Sequence, residues 1–140
     1  MDGRDHVILR ILESDARTPY VEIARRLGIS ESSVRKRVRK LESQGVIKRY
    51  TIDVDPEKLG YKAVALIGVD TEPSKCMDVA RKLAEFDEVR KVFTATGKHM
   101  LIIEVWARDT TQLTKLIYTK YSKIDGVSRI VPAIVLKRVK

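Results

Sequence analysis

Two helical patterns stand only two residues apart in this chain, and that spacing constrains its fold more than any other feature. Thr18-Pro19 predicts the start of the first, with Thr18 as N-cap and Pro19 in the first turn, where its missing N–H costs nothing. Tyr20, Ile23, Ala24 and Leu27 then fall on one face. Gly28 is placed to end this helix in the left-handed conformation, and after Ile29 the residue Ser30 is a good N-cap for another, with Glu31 at the positive end of its dipole. Helices joined this tightly must cross sharply, and the small Ala24 lets them approach. An earlier segment, Arg4 to Glu13, carries Val7, Ile8, Ile11 and Leu12 as an apolar stripe against which both can pack.

The helix after Ser30 reads ESSVRKRVRKLES. At about 100° per residue, Val34, Val38 and Leu41 point one way. Ser32, Lys36, Arg39 and Ser43 point the other, with Ser33 and Lys40 on one flank and Arg35 on the opposite one. Between Arg25 and Arg49 there are nine cations and two carboxylates, a net +7 within a chain whose total is +9. Such an excess predicts a polyanion partner, nucleic acid before an acidic membrane, and a solvated face laced with ion pairs is the competing reading. Gln44-Gly45 stops the helix, and GVIKRYTIDVD follows with Ile47, Tyr50, Ile52 and Val54 partly alternating, which predicts a β-ribbon with Lys48 and Arg49 at its start.

Asp55-Pro56 to Gly60 reads as a linker, after which strands and helices alternate. Strands are expected over Ala63 to Val69, Val89 to Thr96, Met100 to Trp106 and Ile130 to Val139, with a tight turn at Gly97-Lys98. Helices are expected over Ser74 to Phe86, burying Val79, Leu83 and Phe86, and over Thr111 to Ser122, using Leu113, Leu116, Ile117 and Tyr121. The order βαββαβ is the ferredoxin-like arrangement, with both helices on one sheet face. The other face also looks apolar, and self-association of the sheet is the simplest cover. The fold class is therefore α+β: a winged helix-turn-helix domain over residues 1–54, a linker over 55–61, and a ferredoxin-like βαββαβ domain over 62–140.

Composition fits this picture. With 44% apolar and 34% charged residues the chain is expected to fold as a soluble protein. No apolar run approaches the roughly 18–20 residues of a membrane span, and the polar start MDGRDH gives no expectation of a signal peptide, so a cytoplasmic location is expected. Cys76 is the single cysteine and cannot form an internal disulfide; it reads as a small helical filler. Asparagine is absent and charge is abundant, which points toward a thermophile. His6, Cys76 and His99 are far apart and match no ligand spacing, so neither a metal nor another cofactor is expected, and no Gly-rich phosphate loop or nucleophile elbow suggests catalysis.

A winged helix-turn-helix lays its second motif helix in the major groove of double-stranded DNA. Its outward N-terminal residues Ser32, Ser33 and Lys36 are short or flexible donors suited to base edges, although Ser32 and Ser33 also suit a helix start. Arg35, Arg37, Arg39, Lys40, Lys48 and Arg49 are the candidates for phosphate contact.

Several motifs in combination carry a family resemblance: Asp5, Asp15-Ala16-Arg17, Leu27-Gly28-Ile29-Ser30, the Val34 to Val38 segment, Leu41-Glu42 and Gly45-Val46-Ile47. With them the first half resembles the DNA-binding domain of the Lrp/AsnC (feast/famine) transcription regulators of prokaryotes. The second half resembles that family's ligand-sensing domain, so the resemblance spans essentially the whole chain. It implies homodimers paired through the C-terminal domain, further assembly into octamers, and an amino-acid-like effector bound at a subunit interface near the turn between the second and third strands. That turn commonly reads Thr-Gly-x-Tyr/His-Asp in the family, and here it is Thr96-Gly97-Lys98-His99-Met100. Met100 replaces the acid and can neither pair an ammonium nor cap the turn. Lys98 fits either an anionic ligand or an exposed turn, and His99 either a ligand contact or a local hydrogen bond. Two other readings share the layout: sirohaem decarboxylases, with His99 as their active-site nominee, and an architectural DNA-binding protein without an effector. The cation-rich helix counts against the decarboxylase, because a tetrapyrrole pocket in the second domain gives no reason for a basic helix in the first.

Overall fold

The computed structural model describes residues 1–140, and the chain divides into two units, Met1–Asp53 and Val54–Lys140. The first unit holds α1 (Gly3–Ser14), α2 (Tyr20–Leu27) and α3 (Glu31–Ser43). Asp2 caps α1 in a reciprocal box with Asp5: each backbone N–H donates to the other's carboxylate, at 2.9 and 3.1 Å. Thr18 is not the cap of α2. Its hydroxyl donates to the Asp15 carbonyl in the preceding turn, and Pro19 takes the cap position, its carbonyl accepting the N–H groups of Glu22 and Ile23. Gly28 ends α2 at φ 65°, where a side chain would be strained, and Ser30 caps α3 by accepting the Ser33 N–H at 3.1 Å. Ile8, Leu12, Ile23, Ala24, Val34 and Val38 bury together, with Ile11, Tyr20, Leu27, Ile29 and Ile47 around them.

The β-ribbon expected after α3 does not form. No strand lies between Lys48 and Asp55, and Ile52 is 81% exposed. Alternation gives a strand two faces, but a ladder also needs a neighbour, and this chain provides none there. Tyr50 instead donates its hydroxyl to the Glu42 carboxylate at 2.7 Å, which ties the segment to α3.

The second unit runs β1 (Ala63–Thr71), α4 (Cys76–Ala84), β2 (Val89–Thr94), β3 (Leu101–Ala107), α5 (Thr110–Thr119) and β4 (Val127–Ile134). The strands form one antiparallel sheet in the order β2-β3-β1-β4. Alternate residues of β1 and β3, from Ala63 to Val69 and from Leu101 to Ala107, bury against Val79, Ala80 and Leu83 of α4 and Leu113 of α5. Both helices therefore cover the same face.

Several boundaries move from expectation. The α4 helix is shorter because Pro73–Lys75 forms a 3-10 turn ahead of it. The α5 helix stops at Thr119, and Tyr121 sits in a following 3-10 turn, fully buried with its hydroxyl on Glu88 at 3.1 Å. Strand β4 starts three residues early and ends at Ile134 rather than Val139, because β1 runs out of partners. The last backbone hydrogen bond to β1 is the Val135 N–H on the Val64 carbonyl, and Leu136 and Val139 lie exposed beyond it.

Candidate nucleic-acid interface and ligand turn

The cations around α3 fall into two groups. Glu22 takes both Arg25 and Arg26, at 2.7 and 3.0 Å. Glu31 takes Arg35 one turn later at 2.8 Å, and the same guanidinium lies 5.7 Å from the Tyr20 ring centroid. Arg37 is the least exposed of these arginines, its Nη1 donating to Asp2 Oδ2 at 2.8 Å and to Asp5 Oδ1 at 3.0 Å. Its assignment to phosphate contact is therefore corrected: it bridges α3 to the start of α1. The bridge holds the Asp2 carboxyl down at about 2, and Asp5, which accepts the Asp2 N–H and then Arg37, is lowered as well. Lys36, Arg39, Lys40, Lys48 and Arg49 have no carboxylate partner.

At the start of α3 the hydroxyl of Ser30 donates to Ser33 Oγ at 2.8 Å and lies 3.1 Å from Ser32 Oγ. Ser32 and Lys36 remain exposed and Ser33 partly so. One end of α3 thus carries hydroxyls and an amine, and the chain beyond carries unpaired charge. Such a surface can hydrogen-bond base edges and neutralise phosphates.

In the second unit the turn between β2 and β3 closes with the Ala95 N–H on the Met100 carbonyl at 2.9 Å and Gly97 at φ 101°. Thr96, Gly97 and Lys98 are exposed at its tip. His99 and Met100 are drawn to a residue that sequence reasoning missed, Asp70 of β1. His99 Nδ1 lies 3.1 Å from Asp70 Oδ2, and the Met100 N–H donates to Asp70 Oδ1 at 3.1 Å. The hydrogen bond from His99 lowers the Asp70 carboxyl. A carboxylate thus caps the turn after all, supplied from β1 instead of position 100. A trace of this in the sequence is Gly68 within the apolar run Ala63–Val69, since a Cβ there would overlap the His99 imidazole.

The sheet face away from the helices carries Leu66, Ile102 and Phe93, all exposed, with Phe93 and Ile102 directly opposed across β2 and β3. Trp106 extends this face, its ring 5.7 Å from Tyr61 and 4.1 Å beneath the Arg90 guanidinium. No helix of the chain is long and apolar enough to cross a membrane.

Comparison with known proteins fits both halves. Residues 1–48 match the family model for winged helix-turn-helix DNA-binding segments, and residues 64–140 match that for the Lrp/AsnC ligand binding domain. The chain belongs to the Lrp/AsnC family. It is 51% identical to the HTH-type transcriptional regulator LrpA of Pyrococcus horikoshii, over 100% of this chain and 99% of that protein. It is 35% identical to the regulatory protein AsnC of Haemophilus influenzae, over 91% of this chain and 85% of that one. Among solved Lrp/AsnC structures, E. coli AsnC superposes with a TM-score of 0.89 at 31% identity, covering 100% and 95% of the two chains. A Neisseria meningitidis transcriptional regulator in complex with L-Met gives a TM-score of 0.91 at 25% identity, over 100% and 92%. Like these relatives the protein is a DNA-binding transcriptional regulator with a ligand-binding domain, and the decarboxylase reading falls away.

Proposed function

We propose that this Lrp/AsnC protein regulates transcription in the cytoplasm by sequence-specific binding of double-stranded DNA as a homodimer. The observation that carries the reading is the sorting of cations: carboxylates pair with Arg25, Arg26, Arg35 and Arg37, whereas Lys36, Arg39, Lys40, Lys48 and Arg49 have none. In this reading Ser32, Ser33 and Lys36 meet base edges in the major groove, and Arg39, Lys40, Lys48 and Arg49 hold phosphates, with Arg35 set aside from the phosphate candidates because Glu31 pairs with it at 2.8 Å. The open sheet face with Leu66, Phe93 and Ile102 pairs two chains, so that two α3 helices reach half-sites about 34 Å apart, one helical turn of DNA. Further assembly to an octamer uses surfaces beyond this one.

The effector in this reading is amino-acid-like and binds at a subunit interface beside Thr96–Met100. The L-Met complex of the Neisseria regulator supports that class of ligand. So does Asp70, which brings a carboxylate able to share an ammonium to a turn whose own acid is missing.

A duplex taken from the region upstream of the protein's own gene tests DNA binding directly. Affinity should fall steeply with salt, by roughly 0.9 log units per log unit of salt for each phosphate contact, and indifference to the duplex at low salt defeats the proposal. Lys36→Ala should relax sequence preference while Arg49→Ala weakens all sequences alike; equal, sequence-independent losses remove Lys36 as a base reader. Selection of bound genomic fragments with and without pooled amino acids then tests the effector, and identical fragment sets mean an effector-independent DNA binder.

A further inference from the structure

Arg37 lies in the middle of α3, yet its guanidinium reaches back to the first turn of α1. The arrangement there is closed and reciprocal. In Asp2, Oδ1 accepts the Asp5 N–H and Oδ2 accepts Arg37; in Asp5, Oδ2 accepts the Asp2 N–H and Oδ1 accepts Arg37. The capping box of one helix is thereby the socket for a side chain of another. Asp5 is buried at 8% exposure, so without Arg37 two neighbouring carboxylates would face each other, one of them shielded from water.

Packing does not fill the space around this bridge. A cleft of about 480 Å³ runs between the start of α1 and α3, lined by Met1, Asp2, Asp5, Ser33, Lys36 and Lys40 beside Arg37 itself. Val34 and Val38 of α3 share a core with Ile8 and Leu12 of α1, and on the cleft side the side-chain polar link between the two helices is the Arg37 bridge. Ser33 and Lys36 stand on the lip of that cleft, about one turn before Arg37 and next to it. Nor does Arg37 offer charge to DNA: two carboxylates at 2.8 and 3.0 Å make the cluster net negative.

We infer that Arg37 is a positioning residue for DNA recognition, holding α3 at a set distance from α1 through Asp2 and Asp5 so that Ser32, Ser33 and Lys36 meet the groove in register. The inference rests on the reading that α3 faces DNA. It makes one of the five cations of SESSVRKRVRK a strut, and it gives the N-terminal residues Asp2 and Asp5 an effect on specificity without any contact with DNA.

The test uses the full-length chain, a duplex recovered by selection from random sequence against the wild type, and a scrambled duplex of the same composition. Arg37→Met should lower the preference for the selected duplex tenfold or more, leave binding to the scrambled duplex within threefold, and keep the slope of log affinity against log salt. Loss of a phosphate contact would instead cut that slope by about 0.9 and weaken both duplexes alike, and that result overturns the inference. Unchanged preference in Arg37→Met overturns it too. Asp5→Asn combined with Arg37→Met should be no worse than Arg37→Met alone, since both break one bridge; additive losses count against it. If Arg37→Met does not fold, Asp2→Asn carries the same comparison, because the Asp2 side chain is 56% exposed and its loss leaves the Asp5 contact in place. Lys36→Ala measured alongside separates the underlying reading: full preference retained there, with preference lost in Arg37→Met, removes Lys36 as a reader and leaves the strut standing.

Discussion

The two halves of this chain leave opposite things unfinished. In the first, five cations on and after α3 lack a carboxylate, while Ile8, Leu12, Ile23, Ala24, Val34 and Val38 of the three helices close on one another. In the second, Lys75, Lys82 and Lys120 have acidic partners, at 2.9, 3.2 and 3.0 Å. The cations without one, such as Lys91, Lys98 and Lys115, are spread over β2, the turn after it and α5, and Leu66, Phe93 and Ile102 lie open on the sheet. Unpaired positive charge is cheap in water and attracts a polyanion from a distance. Exposed apolar area is costly in water and is relieved by a shape that fits it, for which a second copy of the same sheet is the natural supply. What each half leaves open thus fits the partner proposed for it: a phosphate backbone for the first and a second copy of the chain for the second.

The sharpest way to break this contrast is to put charge on the apolar face. Phe93→Glu with Ile102→Glu should leave the fold intact, since both side chains stand off the core, and should reduce the particle to a 16.0 kDa monomer in sedimentation. Losing the second α3 helix should then weaken DNA binding by about 10²–10⁴-fold through lost avidity. A variant that stays dimeric shows that the chains pair elsewhere. Next in size is the charge comparison itself. Arg39→Ala with Lys40→Ala should lower the salt slope of DNA binding by about 1.8, whereas Lys75→Ala with Lys82→Ala should leave it unchanged. Equal effects from the two pairs would mean that net charge, and not the unpaired set, drives binding.

A third variant probes the ligand turn. Gly68→Ala places a methyl group where the His99 ring lies, so the ring must leave Asp70. A loss of about 1–3 kcal/mol is expected from such overpacking, measured by urea unfolding. Adding His99→Ala should restore most of it, because the methyl group then fills vacated space. No recovery would place the clash in the backbone instead.

The helix-turn-helix was legible because its determinants are local: Gly28 and Ser30 act within a few residues of themselves, and Val34, Val38 and Leu41 repeat at helical spacing. The strand order was legible for a related reason, since alternation and turn residues mark each strand and short connections restrict how they pair. What escaped depends on residues far along the chain. Arg37 and Arg39 are the same residue type two positions apart, and only Asp2 and Asp5, more than thirty residues earlier, make one a strut. Asp70 lies about thirty residues from the turn it caps, so the turn looked as though it lacked an acid. The ribbon after Ile47 and the end of β4 failed for want of a partner strand, which alternation cannot report.

The smallest expected effect is with acid, and it separates the strut from the free cations beside it. Asp2 has its carboxyl lowered from 3.8 to about 2 by Arg37 and then by the Asp5 N–H, and Asp5 is lowered too. A carboxyl depressed in the folded state stabilises that state fully above its unfolded value, and the contribution fades as pH falls toward the folded one. The window is therefore from about pH 4 down to about pH 2, with Arg37 charged throughout. In that window the melting temperature of the wild type should fall, and Arg37→Met should fall less, because part of the depression goes with the guanidinium while the Asp5 N–H remains. The gap between the two should be widest near neutral pH and narrow as pH falls through about 2, where half of the Asp2 carboxyls are protonated and the bridge weakens. Arg39→Ala has no carboxylate to release and should track the wild type at every pH. A gap that stays constant into acid would mean that Arg37 stabilises through its methylene stem, and the contrast between paired and unpaired cations on α3 would lose its electrostatic basis.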